Sequence, residues 1–295
     1  MINTAFCVHF SSPVRRKEVS NYPPDPGLDT HPGSAKGQHM SAAIPIILHQ
    51  LWREAELPPP YSEWRAGWIA NHAGWAHRLY DDEAIRRITA DRAPQWLPTF
   101  EALPRAIQRV DFFRYLIVYL DGGMYADLDM ISYQPCDPLL AGASCVLGIE
   151  NHISRKRQQE LNYERPWQLA NFIFAAAPEH PFLASLLEAI ARQATTKVNS
   201  DHEVQEITGP RLLTRIAYGL PPDVRGPIRV LPQINWNPPS IYPRIGPLAG
   251  RIYARHLCLG GWRTRRHWWQ QPAEGRLGHH IRPPNPFALA SADLP

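Results

Sequence analysis

No stretch of this 295-residue chain approaches the roughly 20 consecutive apolar residues of a membrane-spanning helix, so no such span is expected within it. Its N-terminal residues do not build the apolar core of a secretory signal either. Cysteine is scarce: Cys7, Cys136, Cys145 and Cys258 are the only four, and they lack the paired spacing of a zinc site. They read as reduced, mostly buried thiols. Excess charge is also small, with 31 Lys+Arg against 27 Asp+Glu and a net charge of +4. That balance suits a small anionic substrate and gives no argument for a nucleic-acid partner. Internal repeats are missing too, which excludes a solenoid or propeller.

What is present suffices for one substantial domain: 44% of residues are hydrophobic and 20% charged. Residues 1–43 are rich in Pro, Gly, Ser and His and read as a disordered leader. Folded structure is expected from Ile44-Pro-Ile-Ile-Leu-His-Gln-Leu-Trp52, whose apolar run reads as a buried strand. A helix over Ser62–Asn71 carries Trp64 and Trp68 as a packing pair. Trp75–Tyr80 reads as a second strand, with Asp81 and Asp82 starting the next helix. Further on, Cys145–Ile149 reads as a strand ending at Glu150-Asn151, and residues 152–167 as a mobile polar loop. A helix is expected over Phe182–Gln193, and another opened by Thr208-Gly209-Pro210. Strands alternating with helices predict an α/β layer fold over residues 44–270, followed by a Pro-rich tail at 271–295.

The chemistry concentrates in Arg109–Tyr133. Val110, Phe113, Ile117 and Leu120 share one helical stripe, and Phe112, Leu116 and Tyr119 cover much of the rest, so the helix should be buried. Yet Asp111 and Arg114 lie three apart on it, within reach of each other. Gly122-Gly123 stop the helix. The period then changes to two, placing Met124, Ala126, Leu128 and Met130 on one face and Tyr125, Asp127 and Asp129 on the other. Two adjacent carboxylates on one face require a cation nearby. Carboxylate oxygens suit Mg²⁺ or Mn²⁺, which takes one or two protein carboxylates and substrate phosphates besides.

Asp111-x-x-Arg114-Tyr115 followed by Gly122-Gly123-x-Tyr125-x-Asp127-x-Asp129 resembles the signature of the DXD-containing sugar transferases. These include yeast-type initiating α1,6-mannosyltransferases, α1,4-glycosyltransferases, capsular-sugar transferases and the clostridial glucosylating toxins. The opening strand and the segment from Asn171 to Pro181 are similar to family segments as well. His256 and Trp262 resemble a family His…Ser-Trp pattern, with Gly261 standing where the serine would be.

The resemblance implies a GT-A fold, with a Rossmann-like nucleotide-binding sheet of mixed strands and additional helices. It also implies a metal-dependent, retaining transfer of a hexose from a nucleotide-diphosphate sugar to a glycan, lipid-linked sugar or protein acceptor. Asp129 would ligate Mn²⁺ or Mg²⁺ directly, Asp127 through water, and His256 would complete the metal or diphosphate shell. Asp111 and Arg114 would hold donor-sugar hydroxyls in a cleft open to water, with a buried ion pair as the alternative. His49, Gln50, Trp52, Tyr125 and Asn171 would line the donor site, and Trp262 would close over it. Without a span or signal, a bacterial cytoplasmic enzyme, or a secreted effector that glycosylates a host protein, is expected; a nucleotide-sugar hydrolase is the other alternative.

Overall fold

The computed structural model describes residues 43–239 and 250–259, which fall in one compact unit. The predicted leader, the tail, Trp262 and Gly261 lie outside the described residues.

The opening apolar run forms β1 (Ile47–Leu51) and leads to α1 (Tyr61–Asn71), whose Trp64 and Trp68 are both buried. After β2 (Ala76–Tyr80), Asp81 accepts the Ala84 amide and starts α2 (Asp82–Arg92). A short α3 (Leu97–Ala102) precedes α4 (Ala106–Asp121), the buried central helix. Gly122 ends it at φ +65°, its amide on the Val118 carbonyl. Next come β3 (Gly123–Ala126), β4 (Met130–Ser132) and α5 (Asp137–Leu140). The chain then runs through β5 (Cys145–His152), α6 (Arg155–Leu161), β6 (Trp167–Ala176) and α7 (Pro181–Ala191). It continues through α8 (Asp201–Ile207), α9 (Pro210–Gly219), α10 (Pro222–Arg225), β7 (Arg229–Leu231), α11 (Gln233–Trp236) and β8 (Ala254–His256).

Six strands make the main sheet in the order β2-β1-β3-β6-β5-β7. Its pairings are parallel except where β6 meets β3 and β5, so β6 alone runs against the other five. This is the α/β layer that the sequence predicts, with the mixed strands that the resemblance implies. Alternate strand residues feed two cores. Tyr125, Leu147 and Phe174 join α4, α7 and α9 on one face, while Met124, Ala126, Val146 and Ala175 join Trp68 and Trp236 on the other. The remaining strands, β4 and β8, pair antiparallel as a small second sheet, with Met130 opposite His256.

Two local expectations need correction. Residues 155–161 of the predicted loop form α6, because Ser154 caps the Arg157 amide and Asn162 closes the end in a left-handed conformation. The predicted strand through the aspartates stops at Ala126, so Asp127, Leu128 and Asp129 occupy the turn between β3 and β4. A turn can aim both carboxylates at one point, which a pleat separates by two residues.

Candidate active site and metal centre

Asp127 follows directly on β3, and its amide still donates to the Phe172 carbonyl of β6 at 2.8 Å. Oδ1 of its carboxylate accepts the Tyr125 hydroxyl and lies 3.3 Å from Arg114. Arg114 reaches there from α4, stacks over the Tyr125 ring at 4.8 Å and donates to the Asn171 carbonyl at 3.0 Å. It also lies 3.3 Å from Asp111 Oδ1. Asp111 in turn accepts the Asn171 side-chain amide at 3.1 Å and the Thr208 hydroxyl at 2.9 Å. The Thr208 carbonyl accepts the Tyr115 hydroxyl.

Asp129, at the other end of the turn, is gripped by β8 and the residues after it. Its backbone carbonyl accepts the Leu257 amide at 2.9 Å and Oδ2 accepts the Leu259 amide at 3.0 Å, while Oδ1 lies 3.1 Å from His256 Nε2. The imidazole stacks on Phe172 with centroids 4.0 Å apart, and its Nδ1 is 3.3 Å from the Cys258 sulfur.

These surroundings move the proton affinities in different directions. Burial pushes the Asp111 carboxyl up to about 6, although Arg114 pulls against it. Burial also raises Asp127, again opposed by Arg114. Burial would raise Asp129 as well, but the His256 imidazole and the Leu259 amide outweigh it and hold that carboxyl low. His256 loses basicity to burial and regains more from Asp129, so it ends raised. Arg114 is firmly charged, because Asp127, Tyr125 and Asp111 outweigh its burial.

Ligand atoms of Asp127, Asp129 and His256 all lie within 4.8 Å of one another. The 3.1 Å between Asp129 and His256 is close to the spacing of two adjacent ligands, each about 2.1 Å from an octahedral ion. Two carboxylates and one imidazole suit Mg²⁺ or Mn²⁺, so the residues present fit such a cation.

Other predicted site residues are placed differently. His49 is fully enclosed: Nε2–H donates to the Gly122 carbonyl and Nδ1 accepts the Tyr80 hydroxyl, both at 2.9 Å. Burial lowers its pKa to about 4. Gln50 is equally enclosed and accepts from Arg65 at 2.7 Å. Trp52 packs beside Tyr61 at 4.5 Å, in the cluster that holds Leu128 between the two aspartates. The expected water-filled cleft at Asp111 and Arg114 is not seen, since each is 4% exposed. Asn171 spends its side chain on Asp111. Thr208, Tyr115, Phe172 and the Leu259 amide were given no role in the site, although Tyr115 stands in the signature, Phe172 in the segment from Asn171 and Thr208 in the Thr-Gly-Pro turn.

Residues 61–146 match the family model described as "glycosyltransferase sugar-binding region containing DXD motif", and that span carries Asp111, Arg114, Asp127 and Asp129. The chain contains a DXD-type glycosyltransferase region. This DXD chain is 31% identical to inositol phosphoceramide mannosyltransferase 1 of Schizosaccharomyces pombe, over 65% of its own length and 56% of that protein. It is 23% identical to the putative glycosyltransferase HOC1 of Saccharomyces cerevisiae, covering 75% of this chain and 66% of the relative. The initiation-specific alpha-1,6-mannosyltransferase of Candida albicans is 22% identical, over 60% and 53% respectively. The chain thus spans roughly half to two thirds of the length of these relatives. Among solved structures, the PaToxG glycosyltransferase overlaps 60% of this chain and 70% of its own, at 14% identity and a TM-score of 0.43.

These relatives correct one expectation. They are yeast enzymes, so the DXD chain is not placed as a bacterial cytoplasmic enzyme. Among the described residues no helix is long and apolar enough to cross a membrane, which by itself assigns no compartment.

Proposed function

We propose that this chain is a metal-dependent, retaining hexosyltransferase. It would cleave the bond between the anomeric carbon of a sugar and the diphosphate of its nucleotide carrier. It would join that carbon to a hydroxyl oxygen of a glycan or lipid-linked acceptor, releasing the nucleoside diphosphate and a proton. The names of the relatives make mannose the first sugar to test.

The observation that supports this best is the convergence of Asp127, Asp129 and His256 beside an arginine that fastens one of the aspartates. A divalent cation bound by these three groups would neutralise the diphosphate that must leave. Asp129 is the best-placed ligand: its Oδ1 faces His256, and two backbone amides fix it from behind. Asp127 completes the set and is turned by Tyr125 and Arg114. Arg114, with Asp111 behind it, keeps a fixed positive charge where the diphosphate would build negative charge. Trp52 beside Leu128 offers an indole for the nucleoside, and its Nε1 has no hydrogen-bond partner among the described residues.

A thermal-stability screen of UDP- and GDP-sugars with and without Mn²⁺ tests the reading, because a ligand of the folded state raises the melting temperature by mass action. One nucleotide sugar should stabilise the protein only with metal present, and should be turned over. A melting temperature unmoved by every donor would end the proposal.

A further inference from the structure

Glu150 lies at the end of the sheet that carries the aspartate turn. In the β3–β6 ladder Ala126 faces Ile173 and the Asp127 amide continues to the Phe172 carbonyl. In the neighbouring β5–β6 ladder, Ile149 faces Leu169 and Asn151 faces Gln168, three and four residues along β6 from Phe172. The register shifts between Leu147 and Ile149 and again between Ile149 and Asn151, so Glu150 sits within a doubly irregular stretch. Such irregularities re-aim side chains next to functional sites. Several residues around it belong to the core on which His256 lies. Gly148 lies against the Trp236 ring, Ala170 and Phe172 belong to the same core, and His256 stacks on Phe172.

The carboxylate is also held with unusual care. Gln168 Nε2 donates to Oε2 at 2.7 Å, and the Tyr163 hydroxyl donates to Gln168 Oε1 at 3.0 Å, which fixes the amide the right way round. Asn237 donates to the Glu150 carbonyl at 2.8 Å. Gln168 and Tyr163 are buried, while Glu150 itself is half-buried at the rim. Its charge is among those that raise the His256 imidazole, yet it is not one of the three groups that converge as metal ligands. A supported carboxylate beyond a metal centre is suited to accept hydrogen bonds from hydroxyl groups. Asp111, Arg114 and Asp127 occupy the α4–β3 side of the centre, and Glu150 lies across β6 from them.

We propose that Glu150, oriented by Gln168 and Tyr163, binds a hydroxyl of the incoming acceptor, a sugar or polyol, and steers it toward the donor. This rests on the glycosyltransferase reading above and adds the acceptor side to it. Glu150 then contributes to acceptor recognition and leaves donor binding alone.

The test compares the full chain with its Glu150→Gln and Gln168→Leu variants, using the best donor from the stability screen and methyl hexosides as acceptor probes. Three quantities are measured: metal-dependent stabilisation by donor, release of sugar to water, and transfer to the methyl hexosides. Glu150→Gln should leave the first two within about twofold and lower kcat/KM for the acceptor about 10- to 100-fold, the range for one hydrogen bond to a charged group. Gln168→Leu should act in the same direction, so both variants raise the ratio of hydrolysis to transfer. A parallel fall in hydrolysis and transfer would make Glu150 a donor or structural residue and overturn the proposal. Unchanged transfer, or a wild-type enzyme that hydrolyses donor yet uses no methyl hexoside, would overturn it too. A wild-type protein that neither binds nor hydrolyses any donor would instead overturn the underlying glycosyltransferase reading.

Discussion

One guanidinium joins two aspartates: Arg114 lies 3.3 Å from Asp111 on its own helix and 3.3 Å from Asp127 on the turn after β3. The position of a candidate metal ligand therefore depends on a residue that is itself 96% enclosed, its exposure being 4%.

Removing the guanidinium should cost both stability and activity. Arg114→Ala leaves buried Asp111 without its counter-charge, and breaking a buried pair in this way costs about 3–5 kcal/mol. Urea unfolding of the variant should show a loss of that order, and turnover should be lost even where the protein is still folded. A loss under about 1 kcal/mol would show that water reaches the pair after all.

Asp129→Asn keeps the shape of the turn and its backbone bonds while removing one charge from the cation site. Turnover should fall by a factor on the order of 10² or more, and Mn²⁺ should no longer add to donor-induced stabilisation. EDTA should abolish wild-type turnover, with Mn²⁺ or Mg²⁺ restoring it. Full activity in EDTA would remove the metal from the account.

Two buried groups should tilt the acid stability profile in opposite directions. The native pKa of His49 is about 4 against an ordinary 6.5, so its contribution is present above 6.5 and is lost as pH falls toward 4. Asp111 is raised from 3.8 to about 6, so its contribution is present below 3.8 and is lost as pH rises through 6. Each effect is on the order of 3 kcal/mol, and the two oppose each other between those limits. His49→Gln should therefore lose stability as pH rises from 4 to 6, and Asp111→Asn should gain it. Urea midpoints at pH 4, 5, 6 and 7 give the slopes; parallel profiles in wild type and both variants would refute the assignment.

Gly123 has φ +100°, and a Cβ there would stand 2.6 Å from the Ile47 carbonyl oxygen of β1. Both strain and collision oppose any side chain, so Gly123→Ala should destabilise by more than the roughly 1 kcal/mol typical of point mutants. Gly74, whose Cβ would meet nothing within 4 Å, provides the control. Equal melting temperatures for Gly123→Ala and Gly74→Ala would contradict the close approach of β1 and β3.

Much of this was legible in the sequence because its signals are local. The stripe of Val110, Phe113 and Ile117, the Gly122-Gly123 stop and the Asp81 cap each rest on a few neighbouring residues. Asp127 and Asp129 were visible as a pair for the same reason, although the pleat assigned to them proved to be a turn. Less could be read where a residue's partner is distant. Nothing near Asp111 announces Thr208 or Asn171, and nothing near His49 shows that Gly122 and Tyr80 enclose it. Residues 155–161 misled because a helix of polar and basic residues lacks the apolar period that marks most helices.

Asp129 and His256, which meet at 3.1 Å, are 127 residues apart in the chain. At a synthesis rate of about 5–20 residues per second, the aspartate exists for roughly 6–25 s before its histidine has been made. Throughout that interval the nascent protein would hold the acidic half of the candidate cation site without the clasp of Leu257 and Leu259. On the proposed metal site, a growing chain would lack one of the three candidate ligands until almost all of the described fold has been translated.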